Sequence, residues 1–395
     1  MDIITATADY ERWLGDRLPL HLPDLDHKHR QMADETQAFS FFRGTYYRWA
    51  QHWQQVEVSL RTAPVEPAVG DLHVVNFGTW RDMEGRLVWG VNDFDEADRL
   101  PYLHDLVRLA ASLWFVRHAL GLTIKLNIAC GWLLQGYRTC LEQGGMPFVL
   151  EESHTDLRAL ALNADRDPAK FWDKLTKLLA DTEVQPPNPA KLALLRDLPH
   201  PTLRPEFRVR PRVGMGSLGK PRYLALVKWA GSWLARETKA TAPPATAWLA
   251  GKDSVAENLP ALLNTQSVRC CDPFYRPESD WITRRLAPRC SRIDLAQLAH
   301  ARQAQSLLEA MGAETANIHL ADRSAVRAII VDLDQRGEGW LEDVAHSLGK
   351  KIETDWLEWQ KFSRSSRGGT KSKPEVVPDR RRVDEEATAH QGEDE

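Results

Sequence analysis

The chain has 395 residues, of which 43% are hydrophobic and 27% are charged, and this composition is typical of a soluble globular protein with two or three packed lobes. Its 51 basic and 55 acidic side chains leave a net charge of −4, which argues against a nucleic-acid partner because such partners require a basic surface. The five cysteines form no C-x-x-C pair, the first residues lack signal-peptide features, and no apolar run approaches the roughly 18 residues of a membrane span, so we expect a cytoplasmic protein with reduced thiols.

The first third of the chain changes from helix to strand and back to helix. Residues 1–65 contain only two glycines and predict mainly helix and loop, whereas residues 66–97 predict short strands joined by a loop. Apolar side chains recur at helical spacing in residues 103–141, and a further helix is expected after Gly121.

The rest of the chain contains a second strand-rich region between helices. Residues 150–200 predict helical pieces interrupted by prolines, and residues 205–240 predict three successive antiparallel strands with a glycine-rich first turn. Residues 292–362 predict helix with a break near 336–339. From residue 363 the sequence is polar and charged, which predicts a disordered tail.

The glycine-rich segment matches G-x-G-x-x-G through Gly214, Gly216 and Gly219. A dinucleotide-binding motif would open a helix, but here Pro221 and a strand-like run follow the last glycine. The segment therefore favours a hairpin flap over nucleotide phosphates, as in protein kinases, with Ser217 beside the phosphates. The alternative is a hairpin whose glycines serve turn geometry alone.

A kinase-like flap requires a lysine on its third strand, where the ammonium reaches the α- and β-phosphates. Lys239 closes the third strand-like run, whereas Lys228 lies on the second run and is the alternative. A glutamate from a following helix should pair with this lysine. Glu257 is suitably placed for that pair, and its alternative interpretation is an ordinary surface glutamate.

Residues 70–97 carry the main chemical signal, which is an acid, an amide and a second acid at the end of a short apolar run. These residues are Asp71, Asn76 and Asp93. Mg²⁺ prefers oxygen ligands and usually takes one or two carboxylates beside phosphate and water, so Asn76 and Asp93 are suited to hold it, with Asp95 as a second ligand or a support. Asp71 is then left to orient or deprotonate a hydroxyl nucleophile.

Three further residues have both a functional and a structural interpretation. The D-x-H pattern that ends at His73 also begins the motif of dinuclear metallophosphoesterases, but the Gly-Asn-His and Gly-His pairs of that class are missing from the sequence. His73 is therefore expected to shape its loop. Asp105 is placed to cap the following helix or to brace the loop, and Arg43 is either an anion contact or a member of an ordinary ion pair.

Together these segments resemble a bacterial family known as domain of unknown function 2252. The resemblance covers about residues 38–113 and 205–245 and rests on five motifs. They are F-R-G at 42–44, G-D-x-H-x-x-N-F-G at 70–78, N-D-F-D-E at 92–96, D-x-x-R-L-A-x-S at 105–112 and V-G-x-G-S-x-G at 213–219.

The loop and the acidic corner also resemble those of aminoglycoside and choline phosphotransferases, which have a protein-kinase-like fold. In this resemblance Asp71 matches the catalytic aspartate, Asn76 the metal-binding asparagine and Asp93 the metal-binding aspartate, although Val69 replaces the usual histidine. The resemblance implies ATP and Mg²⁺ as cofactors. The glycine flap follows the catalytic loop here, the reverse of the order in kinases, and our hypothesis is a circular permutation in which the flap folds back over the loop.

The expected fold class is therefore α+β, as a circularly permuted kinase-like fold with a mostly helical large lobe and a small antiparallel sheet lobe. The expected segments are an N-terminal helical segment 1–65, a catalytic and metal-binding lobe 66–200, a nucleotide lobe 201–265, a C-terminal helical region 266–362 and a disordered charged tail 363–395. The expected function is ATP- and Mg²⁺-dependent phosphotransfer to an unidentified hydroxyl-bearing acceptor. A nucleotide-binding pseudokinase and a nucleotidyl (AMP) transferase are the alternatives.

Overall fold

The computed structural model describes residues 1–34, 36–119, 124–151, 153–162, 167–178, 183–210, 212–254, 256–278, 280–288, 290 and 301–368. The chain is a mixed α+β protein, as the sequence predicts, and its described part has helices at both ends with antiparallel strands between them. Within the described residues the helices are α1 Ile3–Gly15, α2 Leu22–Met32, α3 Ala38–Gly44, α4 Tyr46–Trp53, α5 Val58–Arg61, α6 Leu103–Ala119, α7 Leu126–Gln143, α8 Thr155–Ala161, α9 Pro168–Leu178, α10 Asn188–Arg196, α11 Ala245–Leu249, α12 Leu259–Gln266, α13 Ala301–His319, α14 Val326–Gln335 and α15 Trp340–Gly368.

The strands in the described part of the chain form three antiparallel sheets, two of them simple pairs. β1 Val65–Ala68 pairs with β4 Asp98–Pro101, and between them in the sequence β2 Phe77–Arg81 pairs with β3 Leu87–Val91. The third sheet has the strand order β5-β6-β7-β9-β8. Its strands are β5 Glu206–Val209, β6 Arg222–Trp229, β7 Ser232–Ala240, β8 Arg276–Glu278 and β9 Trp281–Leu286. The strands predicted within residues 66–97 and 205–240 are thus confirmed.

The helical predictions are confirmed in outline, and one boundary is wrong. The break predicted near residues 336–339 separates α14 from α15. The tail predicted from residue 363 begins as helix, because α15 continues to Gly368. An established helix gains one backbone hydrogen bond for each residue added, so its last turn can extend into polar sequence. The remainder of that tail and residues 292–300 lie outside the described residues.

α6 is the central helix of the protein. The consecutive residues Leu106, Val107, Arg108 and Leu109 point to different sides of the helix and have no exposed surface, so the helix is covered on all sides. α7 and α15 pack against it, and α13 packs along α7. Despite this apolar character, no helix in the described part of the chain combines the length and apolarity needed to cross a membrane.

The five-stranded sheet has a helix on each face, because its side chains alternate between the two faces. Leu224 and Leu226 of β6 contact Leu175 of α9 on one face, while Ala225 contacts Leu194 of α10 on the other. The α9 face also carries Lys239, which lies opposite Arg222 in the β6–β7 register. The polar end of that face is therefore available to a site.

Glu66 of β1 is a buried carboxyl group whose two oxygens accept no hydrogen bond from the described residues. Burial raises the pKa of Glu66 from its ordinary value of 4.5 to about 8, and the Asp322 carboxylate adds to the rise while Arg99 opposes it. The folded protein keeps this proton at pH values where the unfolded chain has released it. The free energy of unfolding therefore decreases as the pH rises from about 4.5 to 8.

We expect Glu66→Gln to raise the free energy of unfolding by roughly 1–3 kcal/mol at pH 8.5, because the neutral amide removes the cost of a buried charge. At pH 5 the gain should be smaller, since the wild-type carboxyl group is then protonated in the folded state. Urea unfolding at both pH values measures the difference. An equal effect at the two pH values would show that the Glu66 charge is not the destabilising factor.

Candidate functional site

The 69–76 loop and the 92–97 corner lie side by side because each connects the β1–β4 pair to the β2–β3 pair. The loop joins β1 to β2, and the corner joins β3 to β4. The Asn92 backbone N–H donates to the Asn76 carbonyl oxygen at 3.1 Å and links the two segments. The acid and amide of the loop thus face the acids of the corner.

Asp105, in the first turn of α6, holds the 69–76 loop in place. Its carboxylate accepts the first two backbone N–H groups of the loop, at 2.7 and 2.9 Å, and contacts His319 Nε2 at 3.2 Å. Burial alone would raise the pKa of Asp105, but the interactions with His104 and His319 hold it well below its ordinary value. Asp105 therefore braces the loop, which is one of its two predicted roles.

Asp71 is held by Arg108, which lies three residues after Asp105 on the same face of α6. Arg108 Nε donates to Asp71 Oδ1 at 2.8 Å, and Arg108 Nη2 donates to the same oxygen. Within the described chain, Asp71 Oδ2 accepts no hydrogen bond, and it lies 3.6 Å from the position that a Cβ atom would take at Gly216. Burial raises the pKa of Asp71, and the Arg108 charge opposes the rise. One carboxylate oxygen is thus fixed and the other is left for a ligand.

Asn76 presents its amide oxygen without a partner. Its Nδ2 group donates to the carbonyl oxygens of Asp71 at 3.2 Å and Asp93 at 3.1 Å, which fixes the orientation of the side chain. Its Oδ1 atom is buried and accepts no hydrogen bond from the described residues. Buried polar atoms are normally paired, so an oxygen held in this way is suited to contact a ligand.

The Lys239 ammonium contacts both acids of the 92–97 corner. Lys239 Nζ lies 3.3 Å from Asp93 Oδ1 and also pairs with Asp95. Burial would raise the pKa of Asp93, but the charges of Lys239 and Arg284 hold it well below its ordinary value. Burial and the Asp93 carboxylate raise the pKa of Asp95. The Asp93 side chain remains 41% exposed, so this carboxylate can reach a further cation.

The glycine turn joins β5 to β6 and lies against the 69–76 loop. Gly214 and Gly219 have φ angles of 76° and 93°, in the left-handed region that favours glycine. Gly216 lacks a positive φ, but its Cβ position lies 3.2 Å from the Arg43 carbonyl oxygen and close to the Asp71 carboxylate. Turn geometry therefore accounts for Gly214 and Gly219, whereas Gly216 allows close approach to the loop.

A buried carboxylate ties the glycine turn to the sheet. Arg222 Nη2 donates to Ser217 Oγ at 2.8 Å, and Arg222 Nη1 donates to Glu237 Oε1 at 2.7 Å. Glu237 also accepts from Arg284 at 3.0 Å and from Arg210. Burial would raise the pKa of Glu237, but the three arginines hold it well below its ordinary value. The position of Ser217 thus depends on this cluster.

Lys239 lies on the third of the predicted strands, as expected, but its predicted glutamate partner is wrong. Glu257 instead accepts hydrogen bonds from Arg99 at 2.8 and 3.1 Å on the surface, where both side chains are about 40% exposed. After β7 the chain enters α11, which packs on α4, and Glu257 then lies beside Arg99 of β4 instead of Lys239. The alternative lysine, Lys228, is exposed, with its ammonium 5.0 Å from the Trp233 ring centre.

Arg43 and His73 lie beside the loop and share an aromatic neighbour. The Arg43 guanidinium carbon is 5.8 Å from the Phe39 ring centre, and the His73 ring meets Phe39 edge-on at 5.9 Å. Arg43 forms no ion pair with a described residue, its Nε atom is buried without a partner, and burial lowers its pKa. Of its two predicted roles, the ordinary ion pair is therefore not formed.

These groups converge on one cavity of about 650 Å³, a volume within the usual range for small-molecule sites. The predicted residues that line it are Arg43, Asp71, His73, Asn76, Asp93, Asp95, Gly214, Gly216 and Ser217. Lys239 lies behind the two corner carboxylates, and Gly219, Asp105 and Glu257 are not on the cavity wall.

Several important side chains were not predicted, and two of them carry a local signal. Arg108 follows Asp105 at helical spacing, and Glu237 precedes Lys239 by two positions on one strand, so each shares a face with a predicted residue. The residues that line the cavity without such a signal include Tyr10, Lys28, Tyr46, Lys220, Asp272, Tyr275 and Arg284.

The donor atoms of the site fit a hard cation such as Mg²⁺. Asn76 Oδ1 and one Asp95 oxygen are buried without hydrogen-bond partners, and Asp93 faces the cavity. No group of three or more His, Cys, Asp and Glu side chains is arranged for a metal in the described ranges. A cation here would therefore use the amide oxygen and would complete its shell with phosphate or water, which is the usual coordination of Mg²⁺.

The comparison with known families agrees with part of the motif-based resemblance. Residues 22–185 match the model of a family described as an uncharacterized protein conserved in bacteria (DUF2252). This stretch contains Arg43, the 69–76 loop, the 92–97 corner and Arg108, but not the glycine turn. No curated protein and no solved structure matches the chain. Over residues 22–185, the chain is therefore similar to an uncharacterized family that is conserved in bacteria.

Proposed function

We propose that the protein is a Mg²⁺-dependent phosphotransferase that moves the γ-phosphoryl group of ATP to a hydroxyl-bearing acceptor. The observation that carries this proposal is the convergence of distant sequence motifs on one cavity. Asp93 contacts Lys239, which lies 146 residues later, while Asp71 faces the glycine turn. Acidic residues that serve only to solvate a surface loop would not be expected to contact both a glycine turn and a buried strand lysine.

Each residue has a distinct role in this proposal. Asn76 and Asp93 would hold the metal, which would neutralise phosphate charge, and Asp95 would support them. Backbone N–H groups of the turn at Gly214 and Gly216 would contact the phosphates.

Asp71 carries the proton chemistry of the proposed reaction. Its free Oδ2 would accept the acceptor's hydroxyl proton as that oxygen bonds to phosphorus, while ADP leaves with the electrons of the broken bond. Arg108 would keep Asp71 Oδ1 fixed during this step. Most of the rate would come from positioning and charge stabilisation, as in other phosphoryl transfers.

A circularly permuted kinase-like arrangement would account for the reversed motif order. In protein kinases a glycine loop covers the phosphates and a lysine lies on the third strand. Here the glycine turn joins β5 to β6, and Lys239 lies on β7, the third strand of the same sheet. The lysine contacts the acids of the corner instead of a helix glutamate, which is a departure from the kinase pattern.

Thermal unfolding in the presence of ATP, with Mg²⁺ or with a chelator, tests nucleotide binding. At a free Mg-ATP concentration of about 100 Kd the wild type should gain roughly 2.7 kcal/mol of stability. Asp93→Asn and Lys239→Met should weaken Mg-ATP binding at least about tenfold. The first removes the charge of a proposed metal ligand, and the second removes the ammonium group that holds the Asp93 and Asp95 carboxylates in place.

Lys228→Met is the matched control, because it removes an exposed lysine of the neighbouring strand that forms no ion pair with the corner carboxylates. This variant should bind Mg-ATP as the wild type does. The proposal fails if ATP does not stabilise the wild type, or if Asp93→Asn and Lys239→Met bind Mg-ATP as tightly as the Lys228→Met control.

A further inference from the structure

Two buried lysines occupy one end of the cavity. Lys28 of α2 is 3% exposed and Lys220, directly after the glycine turn, is 7% exposed, and both line the cavity. Neither forms an ion pair with any residue that the structure describes. Lysines are rarely buried without a counter-charge, because removing an ammonium group from water is costly.

The two lysines meet because α2 packs on the glycine turn. The His21 N–H donates to the Gly219 carbonyl oxygen at 2.8 Å, and a Cβ atom at Gly219 would lie 2.6 Å from Leu25 Cδ2. Lys28 follows Leu25 by three positions and therefore lies on the same helix face. Lys220 follows Gly219 in the chain, so both ammonium groups are brought to this end of the cavity.

This end of the cavity adjoins the Asp71 side of the site. Lys28 Cε lies 3.6 Å from the Cβ position of Gly44, and the neighbouring Arg43 carbonyl oxygen approaches Gly216 beside Asp71. The Tyr46 hydroxyl also lines the cavity and is buried without a hydrogen-bond partner among the described residues. Two ammonium groups and a hydroxyl are therefore available to one ligand near Asp71.

The acid at this end offsets the two positive charges only in part. The Glu96 carboxylate accepts the Ala245 N–H at 2.7 Å, and it forms no ion pair with Lys28 or Lys220. Burial lowers the pKa of Lys28, the Glu11 carboxylate opposes this decrease, and the neighbouring Lys220 charge adds to it. An anion between the lysines would relieve this repulsion.

We propose that Lys28 and Lys220 bind an anionic group, a phosphate or a carboxylate, on the acceptor molecule. The substrate class is then an alcohol that also carries an anionic group, held so that its hydroxyl faces Asp71. The identification of the anion's carrier as the acceptor rests on the phosphotransferase function proposed above, whereas the anion site itself does not.

Binding of inorganic phosphate to the full chain tests the anion site without nucleotide. Melting temperature is measured against phosphate concentration at constant ionic strength, with acetate as the carboxylate probe. The wild type should be stabilised by at least one of the two anions in a saturable manner. Lys28→Met and Lys220→Met should each raise the half-saturating concentration at least tenfold, while Lys228→Met should leave it unchanged.

The methionine variants retain a long unbranched side chain and lose the charge, so both should fold. Without added anion the melting temperature of the double variant should equal or exceed that of the wild type, because two neighbouring buried charges are removed. The anion site is ruled out if neither phosphate nor acetate stabilises the wild type in a saturable manner. Stabilisation of the double variant at wild-type anion concentrations would also rule it out.

Combining the anion with Mg-ATP separates this inference from the proposed function. Additive stabilisation means that anion and nucleotide occupy the cavity together, as an acceptor site requires. Competition between them would assign the lysines to the nucleotide phosphates and overturn the acceptor assignment. If Mg-ATP does not bind but anion binding still depends on both lysines, the phosphotransferase proposal fails and the anion site stands.

Discussion

Glu237→Gln is expected to lower the free energy of unfolding by roughly 3–5 kcal/mol. Glu237 has no exposed surface, and its carboxylate is the common partner of Arg210, Arg222 and Arg284. Glutamine has nearly the same shape, so the substitution removes charge rather than volume. The three guanidinium groups are then left close together in a partly buried position without a counter-charge, which is the costly outcome.

Glu257→Gln is the matched control for this prediction. It also replaces a glutamate that binds arginine, but the pair with Arg99 lies on the surface, where such pairs contribute about 0–1 kcal/mol. Urea unfolding followed by circular dichroism measures both variants. Equal losses in the two variants, or a loss below about 1 kcal/mol for Glu237→Gln, would show that the arginine cluster does not depend on this carboxylate.

The parts of the site that could be predicted from sequence are those whose positions depend on residues close together in the chain. The strand-like runs that form β6 and β7, and the turn residues between them, identify Lys239 as a residue of the third strand. At that turn Ala230 and Gly231 have φ angles of 46° and 83°, as a tight hairpin requires. Asp71 and Asn76 likewise lie on one short loop, so their proximity follows from chain continuity.

The parts that could not be predicted depend on which distant elements pack together. Glu257 has the residue type and the approximate position of a lysine partner, but the path of the chain after β7 takes it to Arg99. Lys28 lies on a short polar helix and resembles a solvent-facing residue in sequence. The packing of α2 on α3 and on the turn before Lys220 buries it, and no periodicity in the sequence indicates those contacts.

Arg108 is an intermediate case. Its spacing from Asp105 is a signal in the local sequence, but its partner, Asp71, is distant in the sequence. The i, i+3 spacing places Arg108 and Asp105 on one face of α6, so a role for one suggests a role for the other. The sequence alone does not reveal that this face lies under the 69–76 loop. That placement follows from the pairing of β1 with β4, which brings the loop to the start of α6.

Arg108→Met is expected to lower the free energy of unfolding by roughly 3–5 kcal/mol, because it leaves the Asp71 carboxylate without its donor. Arg108 has no exposed surface, and its guanidinium carbon lies 4.1 Å from the Phe42 ring centre and 4.9 Å from that of Tyr46. Methionine retains contact with these rings. The loss should therefore come mainly from the unpaired carboxylate and the lost cation–π contacts.

A double-mutant cycle with Asp71→Asn separates the ion pair from the other contacts of Arg108. Asp71→Asn alone leaves the guanidinium hydrogen-bonded to the Phe42 carbonyl oxygen at 3.2 Å and packed on the aromatic rings. The combined variant should lose less stability than the sum of the single variants, with a coupling of about 1–3 kcal/mol. A coupling near zero would mean that Asp71 does not depend on Arg108 for its position. In that case the hydrogen bonds that the loop backbone donates to the Asp105 carboxylate would be sufficient to hold the loop.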